Sequence, residues 1–316
     1  MIPNKTNIPY VCVIGGSNID IEGYPHKKLL LEDSNPGIIK TSLGGVGRNI
    51  AENLARLGIQ TKFLSVVGDD AHGKRILDHA QSIGLDMADV LVVDEATSTY
   101  LAVLDETRDM HVGIAYMDIL RRLDIAYIQK HADIIQNAVF CIVDTNLPDI
   151  LEYLVTTYDV PFVLDTVSAN KAARAKPLLS HFHTIKPNKI EAEILSGITI
   201  QTQNDLRKAG RYFMDQGVQN TFITMGSEGV YYKTRGKEGI ITSPSAEMVS
   251  ATGAGDAFAA GLVYSLCKEK TIEEEVKFAM GSSIMAILSE ETINPDISSH
   301  RIEEIIENLD FKHQTL

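Results

Sequence analysis

The sequence has few cysteines and no long hydrophobic run. Cys12, Cys141 and Cys267 are scattered and odd in number, which argues against a disulfide framework, and they show no metal-ligand spacing. No apolar run approaches the ~18 residues that a membrane span needs, and residues 1–9 lack the apolar region of a signal peptide. We therefore expect a protein of the reducing cytoplasm, with no membrane partner.

Positive charge is also scarce. The chain carries 29 Lys and Arg residues against 42 Asp and Glu residues, for a net charge of −13, and it has no basic cluster. A protein that binds a nucleic-acid backbone needs a basic face, so this composition disfavours a polynucleotide partner. Any phosphate that the protein handles is expected to belong to a small molecule.

What the sequence does contain is an alternation of short β-branched runs and helical patterns along its 316 residues. Continuous apolar strands separated by helices predict a doubly wound, mostly parallel α/β sheet in a single domain, residues 1–316. Helices are predicted over residues 49–57 and 70–83, and from Ala254 and Thr271 onwards. Strands are predicted over residues 11–14, 62–67, 138–143, 162–164, 184–185 and 222–224.

Two stretches, at about residues 19–42 and 97–115, break this alternation. Both show the two-residue periodicity of strands, and neither is followed by its own crossover helix. We interpret them as a small antiparallel β lid that stands off the main sheet and could close over a site. The exposed face of this lid could pair with the lid of a second copy to form a homodimer, or it could stay single.

The most informative segment is the glycine-rich turn at residues 251–261, which leads into a helix. Gly253, Ala254 and Gly255 leave the backbone bare, and the N–H groups of a first helical turn have no intrahelical partners. Together with the helix macrodipole they predict an anion site, most naturally for phosphate. Asp256 would repel that anion unless it has a task, such as removing a proton from an attacking hydroxyl. A helix start packed closely on a strand is the structural alternative.

Two polar sites near the amino end also accompany glycine-rich turns. Asn18 and Asp20 lie two residues apart and point the same way in an extended chain, so they suit the adjacent hydroxyls of a polyol. Asn49 follows the glycine-rich turn 44–47 and could point its amide into a site that the glycines leave open. An Asx turn at a strand end would explain Asn18 equally well, and Asn49 could simply begin a helix.

Two strand-to-turn segments in the second half of the chain could serve a nucleotide. Asn188 precedes Glu191 by three residues, a spacing that suits either a helix capping box or a place near phosphate oxygens and Mg²⁺. The segment 224–229 presents the Thr224 hydroxyl and bare glycine backbone. The motif G-x-x-x-x-G-K-[ST] occurs nowhere, so a kinase here would not use a P-loop.

In their order along the chain, these motifs resemble those of the ribokinase-like (PfkB) sugar and nucleoside kinases, over about residues 11–295. The resemblance implies an ATP-dependent kinase with Mg²⁺, in which Asp256 is the base that deprotonates the attacking hydroxyl. Backbone N–H groups of Gly253, Ala254 and Gly255 would stabilise the phosphoryl group, and Glu191 would serve Mg²⁺, directly or through water. The acceptor would contact Asn18, Asp20, Gly45 and Asn49. ATP would contact Asn188, Thr224, Gly226, Gly229, Gly253 and Gly255.

Longer strings, such as residues 44–58 and 183–197, look like the pseudouridine kinases within this family. They imply phosphorylation of the 5′-hydroxyl of pseudouridine, with Thr99 and Lys171 either recognising the base or serving as ordinary lid and helix residues. A kinase of the same family for ribose, another nucleoside or a ketose is the nearest alternative. A non-catalytic ligand-binding protein on the same fold is a further one. Ser250 replaces the first Asp of the family pattern D-T-x-G-A-G-D, which leaves dependence on a monovalent cation open.

Overall fold

The computed structural model describes residues 8–147, 150–244 and 252–316. Strands and helices alternate along most of this length, as the sequence pattern predicts. The strands are β1 (Val11–Ile14), β2 (Asn18–Pro25), β3 (Gly37–Gly44), β4 (Thr61–Leu64), β5 (Val66–Gly68), β6 (Leu91–Val93), β7 (Thr99–Leu104), β8 (Met110–Tyr116), β9 (Phe140–Asp144), β10 (Phe162–Asp165), β11 (Phe182–Ile185), β12 (Asn220–Thr224), β13 (Val230–Thr234), β14 (Lys237–Thr242) and β15 (Lys312–Thr315). The helices are α1 (Val46–Arg56), α2 (Ala71–Ser82), α3 (Ile125–Lys130), α4 (Ala132–Gln136), α5 (Leu151–Thr157), α6 (Ala169–Ala172), α7 (Lys189–Ser196), α8 (Gln203–Asp215), α9 (Ala254–Cys267), α10 (Ile272–Ile287) and α11 (Ser299–Asn308).

Within the described residues, nine strands form one large sheet in the order β15-β14-β13-β12-β11-β10-β9-β1-β4. The six strands from β12 to β4 in this order run parallel, with Val11 of β1 in register with Thr61 on one side and Phe140 on the other. The strands β13, β14 and β15 form an antiparallel edge that the sequence analysis did not predict. This edge begins just after Gly229, whose φ of 93° lets the chain turn back beside β12.

The core lies on both faces of the large sheet. Cys12 and Ile14 of β1 point into a cluster that includes residues of α3 to α8, whereas Val11 and Val13 point into a cluster with α1 and α9. Burial on both faces explains why the parallel strands read as continuous apolar runs. The prediction of a doubly wound, mostly parallel sheet is therefore confirmed.

One predicted strand is wrong in its extent. Residues 62–67 belong to two strands, β4 and β5, which are separated at Ser65 because β5 leaves the large sheet and pairs with β6. Val66 and Val67 remain fully buried after the break, so an apolar run alone gives no sign of it. The predicted helices are present, with ends that differ from the prediction by a few residues.

The second sheet is small and has the order β3-β2-β7-β8. Its strands fall within or next to the predicted stretches 19–42 and 97–115, and the pairs β2–β3 and β7–β8 are antiparallel as expected. The pairing of β2 with β7, however, is parallel. The small sheet beside the main one is therefore confirmed, with this central pair as a correction.

The strands of the small sheet differ in burial. Ile19 of β2 is fully buried in a cluster with Val67 of β5 and Ile76 of α2, which packs the small sheet against these two elements. By contrast, β8 is exposed along its whole length, and Met110 and Ile114 present apolar surface there. Pairing of this face with a second copy, and closure of the sheet as a lid, remain predictions.

All three cysteines are free thiols. Cys12 and Cys141 are buried free thiols inside strands, and Cys267 is a free thiol at the end of α9. In the described ranges, no helix has both the length and the apolar character needed to cross a bilayer.

Candidate active site

Polar side chains gather at the carboxyl ends of the parallel strands, the edge at which open α/β sheets bind ligands. Asp144 and Asp165 end β9 and β10, and Lys186 follows β11 directly; all three are buried. Lys186 Nζ lies 3.0 Å from Asp165 Oδ2. Burial by itself would lower the pKa of Lys186, but the Asp165 carboxylate raises it above its usual value. Lys186 therefore stays charged.

The turn before α9 reaches the same edge. Gly253 is the N-cap residue with φ of 79°, and a Cβ placed on it would lie 2.0 Å from the backbone oxygen of Thr292. Glycine is therefore required there twice, by conformation and by space. The Ser283 hydroxyl donates to the backbone oxygen of Ala254 at 2.8 Å and fastens the turn to α10. Gly253 has no side chain with which to cap α9, which suits the first-turn N–H groups to an anion.

Asp256 lies in the first turn of α9 and is half-buried. Asn49 Nδ2 donates to Asp256 Oδ2 at 2.8 Å. Burial raises the pKa of the Asp256 carboxyl to about 7, and the neighbouring carboxylate of Asp165 acts in the same direction, while Asn49 and Lys186 oppose the rise. A carboxyl group with a pKa near neutrality is well suited to accept a proton from a hydroxyl.

A second group of polar residues surrounds the start of α1. Asn18 Nδ2 donates to Asp20 Oδ1 at 2.6 Å, and Asn18 pairs with Gly44 across β2 and β3. A Cβ on Gly44 would lie 2.2 Å from Asp20 Oδ2, and one on Gly45 would lie 2.4 Å from the backbone oxygen of Gly16. Gly44 therefore allows β3 to approach Asp20 closely, and Gly45 allows the start of α1 to approach the backbone of Gly16.

Arg48 fixes the orientation of the Asn49 amide. Its Nη1 donates to Asn49 Oδ1 at 2.9 Å, so that Asn49 Nδ2 faces Asp256. The buried Arg48 is paired with Glu52, and Glu52 also accepts from Arg56 Nε at 2.8 Å. The first turns of α1 are thereby held in one arrangement beside the catalytic candidate.

On the other side of Asp256, Asn188 and Glu191 form the capping box that begins α7. Glu191 N donates to Asn188 Oδ1 at 2.9 Å, and the Glu191 carboxylate accepts from Asn188 N at 2.8 Å and from Asn188 Nδ2 at 2.9 Å. Thr166 Oγ1 donates to Glu191 Oε2 at 2.5 Å. The capping-box interpretation therefore holds. Because both carboxylate oxygens have protein partners, the arrangement suits a metal contact through water.

A cavity of about 440 Å³ lies next to these residues. Its lining includes bare backbone at Gly226, Gly229 and Gly255, the Thr224 side chain, and apolar side chains such as Phe258. The isolated bridge between Asn188 and Thr224 joins this cavity to the start of α7. An apolar cavity with a few polar groups is typical of a site for a flat organic ring.

The sequence matches the family model of the pfkB family carbohydrate kinases over residues 8–299. The chain belongs to this family. It is 39% identical to the pseudouridine kinase of Escherichia coli strain K12 over 303 residues. This alignment covers 95% of this chain and 97% of that protein. A crystal structure of a proposed sugar kinase from Clostridium perfringens is 40% identical with a TM-score of 0.90, covering 98% of this chain and 99% of the other. A proposed ribokinase II from Escherichia coli, solved with ATP and Mg²⁺, is 18% identical with a TM-score of 0.80, covering 95% and 99%.

This PfkB kinase is therefore a phosphotransferase with an alcohol group as acceptor, and the resemblance seen in its motifs is confirmed. The non-catalytic alternative is not supported. The ribokinase-like fold is confirmed as well, since solved ribokinases share it.

The structure of the PfkB kinase places Asn49 and the turn 253–255 directly beside Asp256. Thr99 lies on β7 in register with Ile19, and so next to Asn18 and Asp20 along the small sheet. Lys171 lies on α6, where its Nζ donates to Asn146 Oδ1 at 2.5 Å. The roles of all these residues remain predictions, and Ser250 lies outside the described residues.

The predicted metal role of Glu191 is compatible with the donors present. In the described ranges, no cluster of three or more His, Cys, Asp or Glu residues could hold a metal ion. Mg²⁺ does not need such a cluster, since it binds through one or two carboxylates, retained waters and substrate phosphates.

Four polar residues of this edge have no role predicted from the sequence. Asp144, Asn146, Asp165 and Lys186 each end a parallel strand or follow one by one or two residues. Burial raises the pKa of Asp144 to about 7. Their shared position after neighbouring strands is the signal that could have found them, because such strand ends meet at one edge.

Proposed function

We propose that this PfkB kinase transfers the γ-phosphoryl group of ATP to the 5′-hydroxyl of pseudouridine. The observation that carries the proposal is a cavity of about 700 Å³ that is lined by Asn146 and Lys171 and, at Ala115, by the small sheet that also carries Asn18 and Asp20. It offers room for a nucleobase in addition to a sugar, and it falls in the size range of small-molecule sites.

Gly16 packs between Gly45 of the acceptor group and Leu120, a residue that lines this cavity. The backbone oxygen of Gly16 lies against Gly45, while a Cβ on Gly16 would lie 3.2 Å from Leu120 Cδ2. Leu120 lines the cavity, as does Met117 just after β8 of the small sheet. A sugar held by Asn18 and Asp20 would therefore have its substituent on the side of Leu120 and Met117, which line this cavity.

Asn146 and Lys171 have the chemistry that a uracil ring requires. The Asn146 amide offers both a donor and an acceptor, and the Lys171 ammonium offers donors. The carbonyl and N–H groups on the edges of a uracil ring are complementary to this set. Thr99 and Lys171 are thus kept as candidates for base recognition, and Asn146 joins them because it is hydrogen-bonded to Lys171.

The reaction follows from the groups around Asp256. The Asp256 carboxylate would take the proton of the 5′-hydroxyl, whose oxygen forms a bond to the γ-phosphorus while the bond to the ADP oxygen breaks. Asn18, Asp20, Gly45 and Asn49 would hold the sugar so that this hydroxyl faces Asp256. Backbone N–H groups of Gly253, Ala254 and Gly255 would donate to the oxygens of the transferring group.

The nucleotide would lie on the other side of Asp256, in the cavity of about 440 Å³. Asn188, Thr224, Gly226, Gly229, Gly253 and Gly255 are the proposed ATP contacts. Glu191 would hold Mg²⁺ through water, since both of its oxygens already accept hydrogen bonds. When bound, Mg²⁺ supplies positive charge to the phosphate oxygens.

The similarity to the Escherichia coli pseudouridine kinase supports this acceptor over others in the family. Kinases for ribose, another nucleoside or a ketose remain the runner-up, because the family contains carbohydrate kinases as a class. A bare sugar, however, would leave the side of the site with Asn146 and Lys171 unfilled.

The test is a panel of acceptors with ATP and Mg²⁺, in which ADP formation is followed for pseudouridine, uridine, ribose and fructose. We expect the highest kcat/KM for pseudouridine, with the product phosphorylated at the 5′ position by phosphorus NMR. Lys171→Met should lower kcat/KM for pseudouridine by about 10-fold, the loss of one charged hydrogen bond, and leave that for ribose unchanged. The exposed Lys176→Met is the matched control. Turnover of ribose with none on pseudouridine would overturn the proposal.

A further inference from the structure

Lys186 is a buried cation that none of the roles above uses. It follows β11 directly, is 7% exposed, and its Nζ lies 3.0 Å from Asp165 Oδ2. A buried lysine must be paired, because an isolated charge is costly to remove from water. The pair with Asp165 therefore explains how Lys186 is tolerated at this edge, but it does not explain why its ammonium group points towards the turn before α9.

Gly255 lies at the place where a ligand could approach the Lys186 ammonium group. A Cβ on Gly255 would lie 3.4 Å from Lys186 Nζ, and among the described residues no other atom outside the adjoining backbone of α9 lies within 4 Å of that position. Gly255 does not have a positive φ, so its backbone conformation does not require glycine. Gly255 is exposed and lines the nucleotide cavity. A side chain at this position would thus stand between Lys186 and the cavity.

The edge around Lys186 carries more negative than positive charge. The carboxylates of Asp165, Asp256 and Glu191 all act on the Lys186 ammonium. A triphosphate that binds beside these carboxylates adds several negative charges to an edge that already has an excess of negative charge. The Lys186 ammonium also acts on the Asp256 carboxyl, and it lies 3.4 Å from the position of a Cβ on Gly255 in the same helical turn. It is therefore well placed to offset the negative charge of the transferring group.

We propose that Lys186 is a catalytic residue whose ammonium group contacts the γ-phosphoryl oxygens through the gap left by Gly255. Asp165 is then a positioning residue that holds the ammonium group at that gap. The interaction strengthens as charge builds on the transferring group, so it lowers the barrier as well as binding ATP. This inference rests on the proposed role of the turn 253–256 as the phosphoryl site.

The test compares Lys186→Met with Asp256→Asn and with Lys208→Met, a control in which an exposed lysine of α8 is replaced. We expect Lys186→Met to lower kcat about 100-fold at saturating ATP and acceptor, as removal of an oxyanion donor does. The acceptor KM should stay within about threefold. Affinity for a non-hydrolysable ATP analogue should fall about 10-fold or more, whereas affinity for ADP should hold, since ADP lacks the phosphate that Lys186 contacts. A lysine that only supports the fold would weaken both nucleotides alike.

A second variant keeps the test usable if Lys186→Met does not fold. Gly255→Val leaves the Lys186–Asp165 pair in place but fills the gap, so it should lower kcat about 10-fold or more, with little effect on thermal stability. Adding Lys186→Met to Gly255→Val should cost less than the two separate losses combined. A kcat of Lys186→Met within threefold of wild type, with Asp256→Asn inactive, would overturn the role of Lys186 alone. Full activity of Asp256→Asn would instead overturn the site on which both proposals rest.

Discussion

The acceptor side and the nucleotide side of Asp256 are lined by different kinds of groups. On the acceptor side the surface consists of side chains that bond to one another: Asn18 to Asp20, Arg48 to Asn49, and Asn49 to Asp256. On the nucleotide side much of the surface is bare glycine backbone and apolar side chains, at Gly226, Gly229, Gly255 and Phe258.

This difference determines which of the two sides can discriminate between ligands. A network of oriented polar side chains discriminates between acceptors, because an acceptor that lacks one hydroxyl leaves a buried polar group unpaired. Bare backbone and an apolar cavity instead bind a nucleotide through its phosphates and its flat ring, which are contacts of low specificity. Changes on the acceptor side should therefore alter which alcohol is used, and changes on the nucleotide side should alter ATP binding and the stability of the fold.

The greatest loss of activity should come from a change at Asp256, where the acceptor side and the nucleotide side meet. Asp256→Asn removes the proposed base but keeps the shape and the contact with Asn49, so kcat should fall by about 10²–10⁴-fold. Binding of a non-hydrolysable ATP analogue and of the acceptor should each stay within about threefold, measured by calorimetry. A variant with wild-type kcat would show that Asp256 is not the base.

The acceptor side should respond to Asp20→Ala. Loss of this carboxylate removes one charged hydrogen bond to a sugar hydroxyl, and we expect the acceptor KM to rise about 10-fold to 100-fold. The ATP KM should not change, because Asp20 lies next to Gly44 on the small sheet, away from the nucleotide cavity. Equal rises in both KM values would contradict the division between the two sides.

The pH dependence sharpens the same picture. Because the pKa of Asp256 is raised to about 7, the carboxyl is protonated below that pH and cannot accept a proton. With a subsaturating acceptor, kcat/KM should rise about tenfold per pH unit below 7 and level off above it. Asn49 lowers this pKa, so Asn49→Leu should move the rising limb to higher pH. A limb that stays in place would mean that another group controls it.

The smallest expected effect separates two glycines of the nucleotide side. Gly229 has φ of 93°, and a Cβ there would lie 2.2 Å from the backbone oxygen of Ile241, whereas Gly226 has φ of 60° and open space around it. Gly229→Ala should lower the free energy of unfolding by about 1–3 kcal/mol and raise the ATP KM. Gly226→Ala, the matched control, should cost about 1 kcal/mol from its conformation alone. Urea denaturation would measure both, and equal losses would contradict the steric argument.

The same contrast explains how much could be predicted from the sequence. The turn 253–256 and the pair Asn18 and Asp20 are local patterns, since a few consecutive residues determine both their conformation and their chemistry. The alternation of apolar strands and helices likewise predicts the large parallel sheet.

What could not be predicted depends on contacts between distant segments. Lys186 and Asp165 are 21 residues apart in sequence, and their ion pair exists only because β10 and β11 are neighbours in the sheet. The break at Ser65 and the antiparallel edge of β13 to β15 depend on strand partners, which an apolar run does not specify. The parallel pairing of β2 with β7 is hidden for the same reason.

The most direct test of the proposed function is a competition in one vessel. Pseudouridine and ribose are supplied at equal concentrations with ATP limiting, and the two phosphorylated products are quantified by mass spectrometry. The side chains next to the cavity of about 700 Å³ should favour the nucleoside, and we predict at least about tenfold more pseudouridine 5′-phosphate than ribose phosphate, the selectivity that one hydrogen bond to the base provides. An excess of ribose phosphate would contradict the assignment.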